Sequence, residues 1–213
     1  MDEENGGRAF DEINLVDPGF NGGWIQVMGP RHRVAEYKEI ELDAGIGPNG
    51  PRGLQQLRWP ADNISDHHSD ARQRMLHIPG SHYRDPEFSW KHVTPPAALA
   101  FIDGDGLGAE YDGDLIVGSA VFRPLAAPPS VMANPGNLYR FRLNGGRNKF
   151  KFRDHALRDK VADNLGRDDW VTEQAEILFG TDFGIVTDMH TGPDGALYVV
   201  SPSAGSVRRI FRL

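Results

Sequence analysis

The sequence predicts an all-β fold built from repeated antiparallel meanders, and three observations predict it. The 213 residues include 25 glycines and 15 prolines, and this composition favours turns that join short strands. Most apolar runs are short and lie between Asp-Gly or other glycine turn signals, with little helical spacing. In addition, one pattern of runs and turns occurs twice along the chain.

The repeat is visible when residues 112–119, DGDLIVGS, are aligned with residues 194–201, DGALYVVS. In both copies an Asp-Gly turn precedes an apolar strand that ends in serine. A glycine then opens another matching strand, at 136–143 and at 205–212, and a further apolar run precedes each copy. Each copy therefore predicts a three-stranded meander, which cannot bury both of its faces alone. Propellers and β-solenoids solve this problem by stacking such units.

Three other segments complete the prediction. In residues 11–24, apolar positions are followed by a cluster of Asp, Pro, Gly and Asn. This pattern predicts a strand, a tight turn and a second strand, which would form the end of an earlier unit. Residues 41–75 are rich in Gly, Pro, Asp and His and predict a long surface excursion. A helix is predicted only over Asp154 to Asn164, where Leu157 and Val161 recur at helical spacing.

Charge and composition exclude several classes of function. The net charge is −7, so the chain offers no broad basic face, and we expect no nucleic-acid partner. No window approaches the roughly 20 apolar residues of a membrane span, and the acidic start does not resemble an export signal. The chain has no cysteine, so disulfides and thiolate metal sites are excluded while the compartment stays open.

Histidines and acidic residues raise two metal hypotheses. His67 and His68 are adjacent, so on a strand they would point to opposite faces, and we interpret them as part of a solvated loop. His190 lies in the repeat and is interpreted as a packed or hydrogen-bonded core residue. The acidic stretch from Asp103 to Asp114 would suit calcium, but it departs from the calcium-loop pattern. We favour a pair of Asp-Gly turns that flank a strand.

Four motifs, taken together, resemble one family. The opening ENGGRAFDEINLVDPGFNGGW is similar to the EHGPRGGDEIN and PGxNYGW signature of the glucose/sorbosone dehydrogenase family. HYRDPEFSW, LAFIDGDGLGAEYDGDLIVGS and FGIVTDMHTGPDGALYVVSPSAGSVRRI follow in the family's order. The resemblance covers nearly the whole chain. Members of that family are soluble quinoproteins, six-bladed β-propellers that bind pyrroloquinoline quinone (PQQ) and calcium.

The resemblance implies a partial propeller. In the family the opening motif lies in the middle of the ring, so this chain would correspond to the C-terminal half. We expect about two complete four-stranded antiparallel blades and part of a third, in one domain over residues 1–213. Its parts would be 1–40, the end of one blade and the start of the next; 41–93, a loop-rich excursion; 94–170, a blade with an inserted loop and a short helix; and 171–213, the last blade.

The resemblance also implies site residues. The family's catalytic histidine precedes the opening motif, so no catalytic residue is assigned in this chain. The backbone carbonyls that hold the cofactor-bound calcium correspond to Gly6 and Gly7, and a structural calcium is supported by the residue that corresponds to Glu12. Where quinone-binding members place two arginines and a lysine on the PQQ carboxylates, this sequence has Ile185, Thr187 and Val121.

Two functions stay open at this point. In one, the chain is a fragment of a PQQ- and calcium-dependent sugar dehydrogenase that lacks the half with the catalytic histidine and is inactive alone. In the other, it is a non-catalytic propeller module for binding or scaffolding that has lost the cofactor residues. The resemblance implies a sugar or aldehyde substrate and a periplasmic or extracellular location. Open sheet edges predict a missing propeller half or a second copy as partner.

Overall fold

A computed structural model describes residues 10–23, 29–31, 78–91, 94–122, 134–162 and 173–213. These residues are all-β, as predicted, and their helices are 3-10 turns of three or four residues. None of their helices has the length and apolar character that crossing a membrane would require. The strands are β1 (Asp11–Ile13), β2 (Phe20–Asn21), β3 (His82–Tyr83), β4 (Phe88–Trp90), β5 (Pro96–Phe101), β6 (Leu115–Ser119), β7 (Val121–Phe122), β8 (Asn134–Pro135), β9 (Leu138–Leu143), β10 (Phe150–Lys151), β11 (Val161–Ala162), β12 (Leu178–Gly180), β13 (Asp188–Thr191), β14 (Leu197–Ser201) and β15 (Ser206–Ile210).

The chain divides into two compact units. The first, here called the meander unit, consists of Thr94–Asp159 and Asn164–Leu213. The other, here called the N-terminal unit, consists of Asp2–Val93 and Lys160–Asp163. The blade boundaries expected from the resemblance stay a prediction.

The first sheet of the meander unit has the strand order β10-β9-β6-β5. All of its pairs are antiparallel, and Ile116 on β6 lies between Ala100 on β5 and Arg140 on β9. On the edge of β9 that faces away from β6, the C-terminal end of β9 pairs with β10 and the N-terminal end of β9 pairs with β12. This sheet therefore has the four-strand width expected of a blade, with its outer strand position shared by two short strands.

The second sheet of the meander unit is the antiparallel meander β13-β14-β15. It repeats the first meander in detail. Gly113 and Gly195, the glycines of the two Asp-Gly turns, have φ angles of 76° and 74°, a conformation that L side chains rarely adopt. β6 and β14 then begin at equivalent positions, two residues after each glycine. The sequence repeat is thus a structural repeat.

The core of the meander unit lies between these two sheets. Ile116 and Leu138 from the first sheet are fully buried with Val186, Leu197 and Val199. The faces approach closely because β6 has a glycine at the contact: a Cβ on Gly118 would lie 2.9 Å from the Val186 Cβ. Close packing of this kind leaves little room for larger side chains.

The N-terminal unit contains two small sheets. β1 pairs antiparallel with β4, and β11 pairs parallel with the other side of β4. β2 and β3 form a separate parallel pair. Phe10, Phe88 and Trp90 are almost completely buried, and the last two rings meet edge to face at 5.0 Å. The apolar positions of two sequence motifs distant along the chain thus supply this core.

The helix predicted over 154–164 is wrong. A 3-10 turn covers only Ala156–Asp159, and Lys160 has a φ of 66°, which no α-helix contains. Val161 and Ala162 then form β11, because the carbonyls of Lys160 and Ala162 accept hydrogen bonds from the backbone of β4 and the residue after it. Tertiary pairing therefore overrides the helical spacing. The excursion predicted at 41–75 lies outside the described residues.

Candidate functional site

The opening motif places Glu12 at the centre of a small polar cluster. Glu12 is half-buried on β1, and its two carboxylate oxygens accept different donors. The Asn14 side-chain amide donates to Oε2 at 3.0 Å, and the Gly29 backbone N–H donates to Oε1. One side chain therefore joins the opening strand to the turn at residues 29–31.

Asp85, from the HYRDP motif, holds the same turn from another direction. Its Oδ1 accepts the backbone N–H of Arg31 at 2.8 Å and the hydroxyl of Tyr83 at 2.6 Å. We call this arrangement the carboxylate clamp: the Glu12 and Asp85 carboxylates with the backbone N–H groups of Gly29 and Arg31. Charge-assisted hydrogen bonds to two amides, two residues apart, fix the path of the turn.

Tyr83 completes the clamp as a hydrogen-bond donor. Burial raises the pKa of its phenol far above the ordinary value, and the hydrogen bond to Asp85 and the negative charges of Asp85 and Glu12 raise it further. Arg31 opposes the shift, with its guanidinium carbon 5.7 Å from the centre of the Tyr83 ring. The phenol therefore keeps its proton at neutral pH and donates a hydrogen bond to the Asp85 carboxylate.

Asp17 links the turn after the opening strand to the strand of the HYRDP motif. Its carboxylate lies 3.0 Å from His82 Nε2 and 2.8 Å from an Arg84 guanidinium nitrogen. Arg84 also donates to the carbonyl of Leu15 at 3.0 Å. These contacts are partly exposed, so each stabilises the unit only modestly, but together they set the register of β2 against β3.

The residues predicted for a metal site are only partly described. Gly6 and Gly7 lie outside the described residues, as do His67 and His68. Glu12 lies in the carboxylate clamp, and its assignment to a metal stays a prediction. Sequence reasoning missed Asp85 and Tyr83. The available signal was that Tyr83 and Asp85 are two residues apart in an extended segment, because such residues place their side chains on the same face of a strand.

The acidic stretch forms the predicted turns, but Ala109–Tyr111 between them is a 3-10 turn, so the strand predicted there is wrong. Asp112 accepts the backbone N–H of Gly104 at 3.0 Å, which closes the loop between β5 and β6. Asp114 is buried and pairs with Arg140 at 2.6 Å. Within the described ranges there is no group of three or more acidic residues or histidines that could hold a metal ion.

The interpretation of His190 as a packed core residue is wrong. Its side chain is 81% exposed and lies 3.5 Å from Asp188. Side chains alternate along β13, and Met189 takes the inward position, where it is buried. His190 therefore lies on the outer face of the second sheet, opposite Tyr198 on β14.

Comparison with known proteins adds one distant similarity. No protein-family model and no curated protein matches the chain. Among solved structures, the chain is similar to a protein from Thermus thermophilus. That protein is provisionally described as an oxidoreductase (glucose dehydrogenase). The alignment has 23% identity and a TM-score of 0.41, and it covers 91% of this chain but 31% of that protein. The relationship is a distant one.

The described residues do not by themselves complete a calcium site. Calcium is usually held by six to eight oxygen ligands, and Glu12 is the one residue that the resemblance assigns to the structural calcium. Both Glu12 oxygens already accept N–H groups, whose partial positive charges compete with a cation. A structural calcium ion at this place would need further oxygen ligands besides Glu12.

The positions expected to hold PQQ do not fit its carboxylates. Ile185 carries an apolar side chain that is 39% exposed, and the Thr187 backbone N–H is bonded to the Val200 carbonyl at 3.1 Å. Arg208 reaches this segment, but it donates to the Asp182 carbonyl at 2.7 Å. Buried carboxylates without cationic partners are costly, so PQQ would need cationic partners from outside these positions.

Proposed function

We propose that the chain forms blades of a β-propeller related to the glucose/sorbosone dehydrogenases, and that the complete propeller oxidises a sugar or an aldehyde. The observation that carries the proposal is the repeated meander. β5-β6-β9 and β13-β14-β15 have the same connectivity and the same positive-φ glycine at their Asp-Gly turns, and a common core lies between them. Adjacent blades of a propeller have this relationship.

The carboxylate clamp supports the same proposal. DEIN and HYRDP, two of the motifs that carry the resemblance, are distant in the sequence, yet Glu12 and Asp85 hold one turn together. In this proposal the described residues build and brace the scaffold. No catalytic residue is assigned to them; in the complete propeller, residues elsewhere would take the proton and a bound quinone cofactor would accept the hydride.

A dye-linked oxidation assay tests this proposal. The purified chain should oxidise no sugar when PQQ, calcium and a dye acceptor are supplied. Mixed with a polypeptide that carries the remaining blades, it should oxidise at least one aldose under the same conditions. If a panel of aldoses and aldehydes gives no turnover with the mixture, the proposal is wrong.

A second candidate is a non-catalytic propeller module for binding or scaffolding. Ile185 and Thr187 favour it, because they stand where cationic side chains would hold the PQQ carboxylates. The two candidates differ in a direct binding measurement. Titration of the mixture with PQQ should change the absorbance of the quinone and raise the melting temperature if the dehydrogenase proposal is right, and should change neither for the second candidate.

The partner and the location are part of the proposal. Among the described strands, β15 pairs with β14 alone, and Val207 on β15 and Phe211 directly after it are 64% and 47% exposed. An open strand edge beside apolar side chains favours pairing with another chain. We therefore infer a missing propeller half or a second copy as partner, and, from the resemblance, a periplasmic or extracellular location.

A further inference from the structure

A cleft in the meander unit has a lining that the proposed function does not explain. Its volume is about 330 Å³, within the range of small-molecule sites. It lies where β9, β10 and β12 meet. The side chains that matter for its chemistry are Arg140, Arg142, Lys151, Glu176, Tyr111 and Phe179.

Two of these cations lie directly opposite each other on neighbouring strands. Arg142 on β9 and Lys151 on β10 are direct cross-strand partners. Like charges in this position destabilise a sheet. Within the part of the chain that the structure describes, neither side chain lies within 4.0 Å of a carboxylate. An anion between them would remove the repulsion.

The other charges of the cleft are already satisfied. Arg140 pairs with Asp114 at 2.6 Å, and its guanidinium carbon lies 3.9 Å from the centre of the Tyr111 ring. The Glu176 carboxylate accepts the backbone N–H groups of Arg153 and Asp154 at 2.7 and 2.5 Å. Arg142 and Lys151 are therefore the two charges that the cleft offers to a ligand.

We propose that this cleft binds a small molecule that carries a phosphate or carboxylate group. The planar guanidinium of Arg142 can donate two parallel hydrogen bonds to such a group, and the Lys151 ammonium adds a point charge beside it. Phe179 and the buried Ile177 give the cleft an apolar wall for the uncharged part of the ligand. The proposal does not depend on sugar oxidation.

Calorimetric titration of the full chain tests the proposal with three probes: inorganic phosphate, gluconate and glucose. Phosphate, gluconate or both should bind, and glucose, which is neutral, should not. The two anions distinguish a phosphate site from a carboxylate site. Titration with sodium chloride at matched ionic strength measures the heat that arises from non-specific charge screening alone.

Matched variants locate the binding. Lys151→Gln should weaken binding of the anion by about tenfold, which corresponds to one charge-assisted hydrogen bond. Lys149→Gln removes the same charge two residues away, at an exposed side chain outside the cleft, and should leave the affinity unchanged. The proposal is wrong if neither anion binds, or if the two variants weaken binding equally. Both lysines are exposed, so neither change threatens folding.

Discussion

Val186 packs so closely on Gly118 that position 118 has no room for a side chain, and this contact joins the two sheets of the meander unit. A Cβ at position 118 would lie 2.9 Å from the Val186 Cβ and 3.3 Å from the Met189 Cε. Val186, two residues before β13, and Met189 on β13 contact the bare backbone of β6. It sets how closely two repeated meanders can approach.

Gly118→Ala should therefore destabilise the meander unit. The added methyl group must push the sheets apart, and overpacking of this kind costs about 1 to 3 kcal/mol of unfolding free energy. Urea unfolding followed by circular dichroism measures the change. Gly145→Ala is the control, because a Cβ there meets no atom within 4 Å. Equal stability of the two variants would show that the faces do not pack as described.

Asp85→Ala should release the turn at residues 29–31. The Arg31 amide loses its acceptor, and loss of one hydrogen bond to a charged group corresponds to about a tenfold faster hydrogen exchange or more. Exchange at Arg31, measured by NMR, is the direct readout. Asp105→Ala removes an exposed carboxylate from the other unit and should leave this amide unchanged. Unaltered protection of Arg31 in the Asp85 variant would refute the carboxylate clamp.

The raised pKa of Tyr83 predicts a loss of stability at alkaline pH. The unfolded chain releases the phenol proton near the ordinary pKa of 10.0, whereas the folded chain retains it. The unfolded state therefore binds fewer protons above this pH, and the free energy of unfolding falls as the pH rises. Tyr83→Phe should make this fall shallower in urea titrations above pH 10.0. A parallel fall in both proteins would argue against the buried, bonded phenol.

Asp194 should titrate below its ordinary pKa of 3.8. The largest cause is the hydrogen bond from the Tyr198 hydroxyl, and the Ala196 N–H and Arg209 also lower the pKa. The lowered pKa of Asp194 stabilises the folded protein at pH values above the ordinary pKa. This contribution to the free energy of unfolding is lost as the pH falls through the lowered pKa of the folded state. Tyr198→Phe should raise the Asp194 pKa in a carboxyl NMR titration. Tyr111→Phe, a control in the first meander, should not move it.

The strands of the repeat could be predicted because their signals are local. An Asp-Gly turn needs a positive φ, only glycine adopts it readily, and the strands begin at a fixed distance after Gly113 and Gly195. β11 could not be predicted in this way. This strand has only two residues and is defined by its hydrogen bonds with the β4 segment. The spacing of apolar residues along the chain carries no information about such a distant partner.

The candidate site was predictable only in part. The resemblance drew attention to Glu12. The turn that Glu12 holds is reached through the backbone amide of Gly29, and a backbone donor leaves no signal in a sequence. Asp85 and Tyr83 stayed unrecognised because their importance depends on the distant segment that they hold. The exposure of His190 depends on which face of β13 packs on the core. The sequence of one four-residue strand does not determine that face.

An experimental structure of the chain bound to the polypeptide that carries its remaining blades is the most direct test of the propeller proposal. We expect a closed ring of six four-stranded sheets, in which the meanders of residues 94–143 and 184–212 are neighbouring blades. A structure in which these two sheets close into a complete sandwich or barrel by themselves would contradict it.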